Sequence, residues 1–338
     1  QVSLLAGERV VDQVDSYFGL RKVSIEGRSI LLNNRPYYQR LVLDQGYWPD
    51  GLYSAPSDDA LRADISWVRR LGYNGARMHQ KIADPRWLHW CDRLGLLVWG
   101  EMPGCGIHYY SPQAVANVRR EWQEVLARDY SHPCIITWVP FNESWGIWGI
   151  RDQREVQEGV IDVVRLTRRL DPTRPVIDNS GWEHVDTDIT DAHIYLGSGD
   201  ELRAWWPRYR EGLPTELDSG HAFWAAGHHH GDQPSIISEY GGMGVEGFPA
   251  PPGLQSYAIG ILRPEDYMDR HHELTRAILD LRDVAGFCFT QLTDVEGEVN
   301  GLLLYNRQPK LDPEVIAASN QEAAAAYPIR EPIPERAC

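Results

Sequence analysis

Basic residues are scarce in this chain. Its 33 Lys and Arg stand against 48 Asp and Glu, which leaves a formal net charge of −15 at pH 7. That balance repels phosphate backbones and anionic lipid, so neither nucleic acid nor a membrane surface is an expected partner. Cysteine is equally uninformative as a scaffold. The five (Cys91, Cys105, Cys134, Cys288 and Cys338) are odd in number, widely spaced and include no Cys-x-x-Cys pair. A disulfide framework and a cysteine-built zinc site are both excluded, and free thiols in a reducing compartment, the cytoplasm, are expected. No apolar run is long enough for a spanning helix, no signal-peptide pattern follows Gln1, and there is no internal repeat or low-complexity linker. Phe is rare too, at six, against 13 Trp and 16 Tyr. Rings with a flat apolar face and a polar tip suit the C–H faces and polar rims of a sugar.

What is present is an apolar strand followed by an amphipathic helix, repeated about eight times. Strands are expected at 38–43, up to Arg77-Met78-His79, and at 96–101, 135–139, 176–178, 189–194, 235–238 and 286–290. Helical stripes lie between them. Leu61, Ile65, Val68 and Leu71 form one, and Val156, Val160, Val163 and Leu170 another. Asp84-Pro85, Ser111-Pro112 and Asp312-Pro313 read as helix starts, and Gly95 as a stop. The fold class is therefore α/β, a (β/α)₈ barrel over 37–326. A doubly wound sheet would show a Gly-rich phosphate loop after the first strand, and none is found. Residues 1–36 alternate in strand fashion and read as the end of a preceding β-sandwich domain plus a hairpin under the barrel. Residues 327–338, with three prolines, read as an extended tail.

Two glutamates carry the chemistry. Glu143, in Val139-Pro140-Phe141-Asn142-Glu143-Ser144-Trp145-Gly146, and Glu239, in Ser238-Glu239-Tyr240-Gly241-Gly242, end the fourth and seventh strands. Active sites of this fold are built at that mouth. Partial burial among aromatics would raise the pKa of Glu143 and suit it to general acid work. The glycines after Glu239 would let a ligand approach closely. Either carboxylate alone could be a structural ion pair, but two on facing strands fit a retaining double displacement. His228-His229-His230 could suggest a metal, yet neighbours in sequence rarely converge on one ion, and a solvated loop is expected.

Asn142-Glu143 and Glu239 resemble the acid/base and nucleophile of the barrel hydrolases. Within that clan the chain resembles glycoside hydrolase family 2, which holds β-galactosidases, β-glucuronidases and β-mannosidases. Asp15-Ser16-Tyr17-Phe18-Gly19-Leu20-Arg21 resembles the family's junction between its immunoglobulin-like domain and the barrel. Asn74-Gly75-Ala76-Arg77 resembles its second strand, and Gly286 to Lys310, with Thr293-Asp294 and Pro309-Lys310, its eighth. The likeness implies that Asn142 bonds the sugar 2-OH and that Tyr195 and His193 sit near the nucleophile. Arg77 and Glu101 either line the pocket or pair to orient the glutamates. Asp44, Trp48, Trp182 and Phe289 are candidates for its wall.

The chain departs from the family in several places. The family's histidine falls one residue after His79, where Gln80 stands here. Pro103 replaces the histidine of metal-dependent members, so no metal or cofactor is expected. The Asn-x-Lys of β-glucuronidases is unmatched at Asn300-Gly301-Leu302. The expected activity is thus a retaining exo-glycosidase of β-galactosidase type. A β-glucuronidase and a sugar-binding barrel with little turnover are the alternatives. A barrel lyase or metal enzyme would need a carboxylate cluster of metal ligands, and none is convincing. The family's sugar-binding sandwich is not found, so self-association or docking with such domains on another polypeptide is expected, through apolar positions such as Val10 and Val14.

Overall fold

The computed structural model describes residues 1–104, 112–213, 220–229, 231–248, 257 and 259–327. Eight strands surround a common axis: β1 (Gln39–Asp44), β2 (Gly75–Met78), β3 (Leu97–Glu101), β4 (Ile135–Val139), β5 (Asn179–Ser180), β6 (Thr190–His193), β7 (Ser235–Gly241) and β8 (Val284–Thr290). Seven of them form one parallel sheet in the order β6-β7-β8-β1-β2-β3-β4. Residues 176–180 occupy the gap between its edges. On the β4 side the Ile177 N–H donates to Trp138 O at 2.9 Å, and Phe141-Asn142 pairs in parallel with β5. On the β6 side the His193 N–H donates to Gly181 O at 3.3 Å.

The fifth strand is expected at 176–178, where Val176 bridges Trp138 of β4 in parallel; the two-residue ladder with Phe141-Asn142 follows at Asn179–Ser180. Asp178 separates the two. Its carboxylate accepts from the N–H groups of Asn179, Val185 and Asp186 and pairs with His184, so it is turned into the following loop.

The helices are α1 (Asp58–Arg70), α2 (Pro85–Leu94), α3 (Pro112–Asp129), α4 (Arg154–Leu170), α5 (Gly199–Arg210), α6 (Pro264–Asp280) and α7 (Pro313–Ala326). Among the described residues none separates β5 from β6. Caps follow the expected chemistry. The Ser57 hydroxyl accepts from the Ala60 N–H, Asp84 and Asp312 cap helices whose first residue is proline, and Gly95 ends α2 at φ 71°. Ser111 lies outside the described residues. One stripe residue is misplaced, since Leu170 is 43% exposed. Thr167 closes the α4 face instead, bonding Val163 O and accepting the Trp122 indole N–H at 2.8 Å. No helix among the described residues is long and apolar enough to cross a membrane.

Two cores result. The larger lies between sheet and helices; the smaller fills the barrel interior with Leu41, Leu43, Trp99, Ile136, Ile177, Ile189 and Ile236. Ile30 belongs to this inner cluster. It stands on a three-stranded antiparallel meander (Val23–Glu26, Ser29–Leu32, Arg35–Pro36) that stoppers the lower end of the barrel. With the floor filled, the site can form only at the opposite mouth. At the far end of the barrel domain, Tyr327 stacks on Tyr38 at 4.1 Å and donates to Leu279 O at 3.1 Å, so it packs on the barrel and does not open a free tail. Residues 328–338 lie outside the described residues.

Upstream, Val2–Ala6 and Arg9–Val14 form a separate antiparallel hairpin with every residue exposed. Val10 is 50% and Val14 57% exposed, as their placement in the sequence led us to expect. The chain is then tied to the barrel floor by Tyr17, whose hydroxyl donates to Asp92 at 2.6 Å, and by Arg21, which donates to Pro133 O and Ile135 O at 3.1 Å. A chain starting at Ser16 keeps both ties. It is expected to melt within about 2 °C of the full chain and to show less self-association in light scattering. Equal scattering by the two forms would rule out the hairpin as the sticky surface.

Candidate active site

Arg77, at the C-terminal end of β2, is wholly buried and forms the hub of the mouth. Its Nε donates to Glu101 at 2.7 Å. Nη1 reaches Ser238 O at 2.9 Å and Glu239 at 3.2 Å, and Nη2 reaches Asn142 Oδ1 at 3.0 Å. One side chain thereby joins the ends of β2, β3 and β7 and the turn after β4. Both readings of Arg77 and Glu101 meet here: they pair with each other, and Arg77 also reaches Glu239. Burial alone would raise the Glu101 pKa, but Arg77 and His79 overcome it and hold the carboxyl down at about 2.

Glu143 follows the short strand Phe141-Asn142. It and Ser144 both lie in the left-handed region, at φ 52° and 56°. Such backbone is costly away from glycine and persists only when its surroundings enforce it. Here the Glu143 N–H donates to Ser180 O and the Ser144 N–H to Asn179 Oδ1, each at 2.9 Å. The turn aims Glu143 back over the barrel axis. Its Oε2 accepts from the Trp145 indole at 3.3 Å and its Oε1 lies 2.8 Å from His193 Nδ1. Burial raises its pKa, with His79 and Trp145 acting against the rise.

Glu239 completes the pair. Tyr195 donates its hydroxyl to Oε2, and Arg77 donates to Oε1. An oxygen of Glu143, one of Glu239 and a nitrogen of His193 all lie within 4.8 Å of one another. The geometry also fixes the His193 tautomer. Its Nε2 lies 3.1 Å from Arg77 Nη1, and a guanidinium can only donate. Nδ1 therefore carries the proton and presents it to Glu143 at 2.8 Å and Glu239 at 3.4 Å. Burial lowers the His193 pKa to about 4, against the pull of Glu239, so the ring is neutral at pH 7.

Seven of the residues expected at the site converge: Glu143, Glu239, Asn142, Arg77, Glu101, His193 and Tyr195. Asn142 Nδ2 is buried with no partner among the described residues, which leaves a donor for a ligand. Trp182 packs edge-on against His193 at 5.6 Å and stacks on His221 at 4.1 Å, which puts it beside the Glu143 partner His193. Three others are placed elsewhere. Asp44 accepts from the Gly46 N–H at 2.8 Å and sits in the fields of Arg307 and Lys81. Trp48 carries the Arg307 guanidinium 3.5 Å from its ring centre. Phe289 points outward into the strand–helix core, against Tyr240 and His271. A strand alternates sides, and Phe289 falls on the outer one. The glycines after Glu239 also serve packing. A Cβ on Gly241 would strike Phe289, and one on Gly242 would strike Tyr195 and Tyr257, so it is these rings that approach.

Several residues escaped the sequence reading. His79 lies 3.4 Å from Glu101 and 3.8 Å from Glu239. Burial would lower its pKa, but these acids raise it. Its offset from the family position was the available signal. Beneath His193, Asp191 accepts from Ser180 and Ser238, and His184 bridges Asp178 and Asp191. Tyr257 stacks on Tyr195 at 4.4 Å from a loop without periodicity, which gives no sequence signal. His228 and His229 belong to no metal-ligand group among the described residues, and His230 lies outside them.

The family model described as "Glycosyl hydrolases family 2, TIM barrel domain" matches residues 23–310. Among curated relatives, rat β-glucuronidase is 26% identical over 340 residues, covering 92% of this chain and 48% of that protein. Dog β-glucuronidase is 26% identical over 263 residues, covering 72% and 37%. The chain spans about half the length, or less, of these relatives. Among solved structures, a family 2 β-galacturonidase from Eisenbergiella tayi bound to galacturonate superposes with TM-score 0.72 at 21% identity, covering 90% of this chain and 55% of that one. A β-D-glucuronidase from Dictyoglomus thermophilum gives 0.74 at 20%, covering 95% and 56%. At such identity the structures show a shared fold.

The depressed His193 pKa makes a stability prediction. In the unfolded chain the ring protonates below its ordinary value of 6.5, whereas in the folded site it does so only near 4. Between those values the unfolded state binds more protons, so stability falls as pH drops from 6.5 toward 4. From pH 7 to pH 5 this group accounts for roughly 2 kcal/mol. Urea midpoints at both pH values, for the native chain and His193→Asn, are expected to show that much less acid loss in the variant. Equal losses would place His193 in a wetter setting.

Proposed function

The chain belongs to glycosyl hydrolase family 2 and carries that family's TIM barrel domain, and from that premise we propose that it is the catalytic domain of a retaining, exo-acting β-glycosidase. The observation that carries the proposal is the approach of Glu143 and Glu239, with oxygens within 4.8 Å across the mouth. Retaining enzymes hold their two carboxyl groups about 5–5.5 Å apart, too close for the water that inversion requires between them. Glu239, which accepts from Arg77 and Tyr195, attacks the anomeric carbon as its carboxylate and forms a glycosyl ester. Glu143, whose pKa burial raises, acts in its protonated form and gives that proton to the departing oxygen as that bond breaks. The resulting Glu143 carboxylate then takes a proton from water, which cleaves the ester. Asn142 Nδ2 is placed to bond the sugar 2-OH, a contact that tightens in the transition state.

For the sugar, the relatives' names favour a uronide over the β-galactoside expected from the sequence. The relatives reported above are β-glucuronidases and a β-galacturonidase, and none is a β-galactosidase. A nitrophenyl panel carrying β-hexosides and β-uronides side by side tests the activity without assuming either.

A 2-deoxy-2-fluoro glycoside with a good leaving group is expected to trap the ester on Glu239, read by mass spectrometry of the peptide. Glu239→Gln is expected to lose turnover by about 10⁴-fold or more. Glu143→Ala should lose most on poor leaving groups and recover partly with azide. Label on Glu143, or azide rescue confined to the Glu239 variant with inverted product, would reverse the two roles. Turnover is expected to survive EDTA; loss restored by magnesium would assign a metal to the chemistry.

A further inference from the structure

A third pocket carboxylate stands opposite the acid. Glu298 lies in the loop after β8, and β8 and β4 are four places apart either way around the ring, so this loop faces the Glu143 turn across the mouth. The Glu298 Oε2 accepts from the side-chain amides of both Gln45 and Gln291, each at 2.9 Å. Gln45 Nε2 donates onward to Gln291 Oε1 at 3.0 Å, and Gln291 Nε2 to Asn300 Oδ1 at 2.6 Å. An acceptor-only carboxylate explains why both glutamines present their NH₂ groups to it. Its other oxygen, Oε1, receives no hydrogen bond from the described residues, and the side chain is only partly buried. Burial raises the Glu298 pKa, with His79 acting against the rise. The loop after β8, the Glu143 turn after β4 and Glu239 on β7 all stand at the same mouth of the barrel.

Resting on the glycosidase reading, we infer that Glu298 selects the glycon. Its free oxygen accepts from hydroxyl groups on the end of the sugar remote from the leaving group, so the site takes un-ionised β-hexosides and turns uronides away. Glu143 defines the leaving-group side, which puts Glu298 at the remote end of a sugar seated against Glu239. A sugar hydroxyl there is a donor that matches the free oxygen. A uronate carboxylate there is a second acceptor with the same charge, in a partly desolvated wall, and like charges so placed repel strongly. The guanidinium and ammonium groups on this side are committed elsewhere. Arg77 is divided among Glu101, Glu239 and Asn142, Lys81 donates to Gly46 O and Tyr53 O, and Arg307 pairs with Asp64. Leu302 stands at the place of the missing lysine. Asn300, two residues before it, has its carbonyl oxygen occupied by Gln291 and keeps a buried Nδ2 donor that a neutral sugar hydroxyl can also satisfy. On this basis the chain shares its fold with uronide-acting relatives and differs from them in what its far wall reads.

The test compares kcat/KM for nitrophenyl β-galactoside, β-glucoside, β-glucuronide and β-galacturonide with the full chain and with Glu298→Gln. The native chain is expected to prefer its better hexoside over either uronide by at least about a hundredfold. In Glu298→Gln the hexoside falls about 10- to 100-fold and the gap narrows. A native preference for a uronide, or an unchanged gap in a folded variant, overturns the proposal. A binding arm needs no turnover: tryptophan fluorescence titrations of the native chain and of Glu298→Gln with gluconolactone and with the acidic glucarolactone, the preference for the neutral lactone being expected to shrink in the variant. Tighter binding of the neutral lactone by about tenfold or more supports the assignment; the reverse order overturns it. If no glycoside is cleaved, or Glu239→Gln is as active as the native chain, the glycosidase reading fails on its own, and the lactone comparison still decides the role of Glu298.

Discussion

A single buried cation organises the mouth of this barrel. The Arg77 guanidinium has no access to water, and an uncompensated charge in that position would cost several kcal/mol. It is compensated by Glu101, by the Ser238 carbonyl and by Glu239, and its remaining donor fixes Asn142. The partners belong to two other strands, β3 and β7, and to the turn after β4, so the ion pair works as a register device: these elements must stand at matching heights for the fork to be satisfied. The same contacts fix one oxygen of Glu239, and they force His193 to point its proton at Glu143. Folding and chemistry thus rest on one set of hydrogen bonds. Lysine could supply the charge but not the planar fork.

The fold was largely readable because its strands are buried on both faces and its helices on one. Ile135-Ile136-Thr137-Trp138-Val139 could hardly be anything else, and Asp84-Pro85 and Gly95 mark α2 at both ends. The fifth strand pairs with β4 at Val176 as the apolar run indicates, but its continuation at Asn179–Ser180 was not readable, because the Asp178 carboxylate that separates the two pieces leaves no trace in hydrophobic pattern. Leu170 was misassigned because helical periodicity says which face a residue shares but not where the neighbouring element stops.

The site was legible where residues end strands, as with Arg77, Glu101, Glu143, His193 and Glu239. It was illegible on the loops. Phe289 and Glu298 show the contrast. Phe289 looked like a pocket residue from its strand end, but alternation sends it outward. Glu298 had no period and no motif to mark it, and only the fold brings it across from Glu143. The likeness to the solved β-glucuronidase and β-galacturonidase follows the same division, because the scaffold is held in common whereas the loops at the mouth are free to differ.

The filled floor has a consequence for traffic. Ile30 and the meander that bears it close the barrel from below, and the inner cluster of Leu41, Leu43, Trp99 and Ile136 leaves no passage beneath Arg77. Nothing can then reach Arg77 from below, so whatever binds at the mouth arrives and departs on the same side.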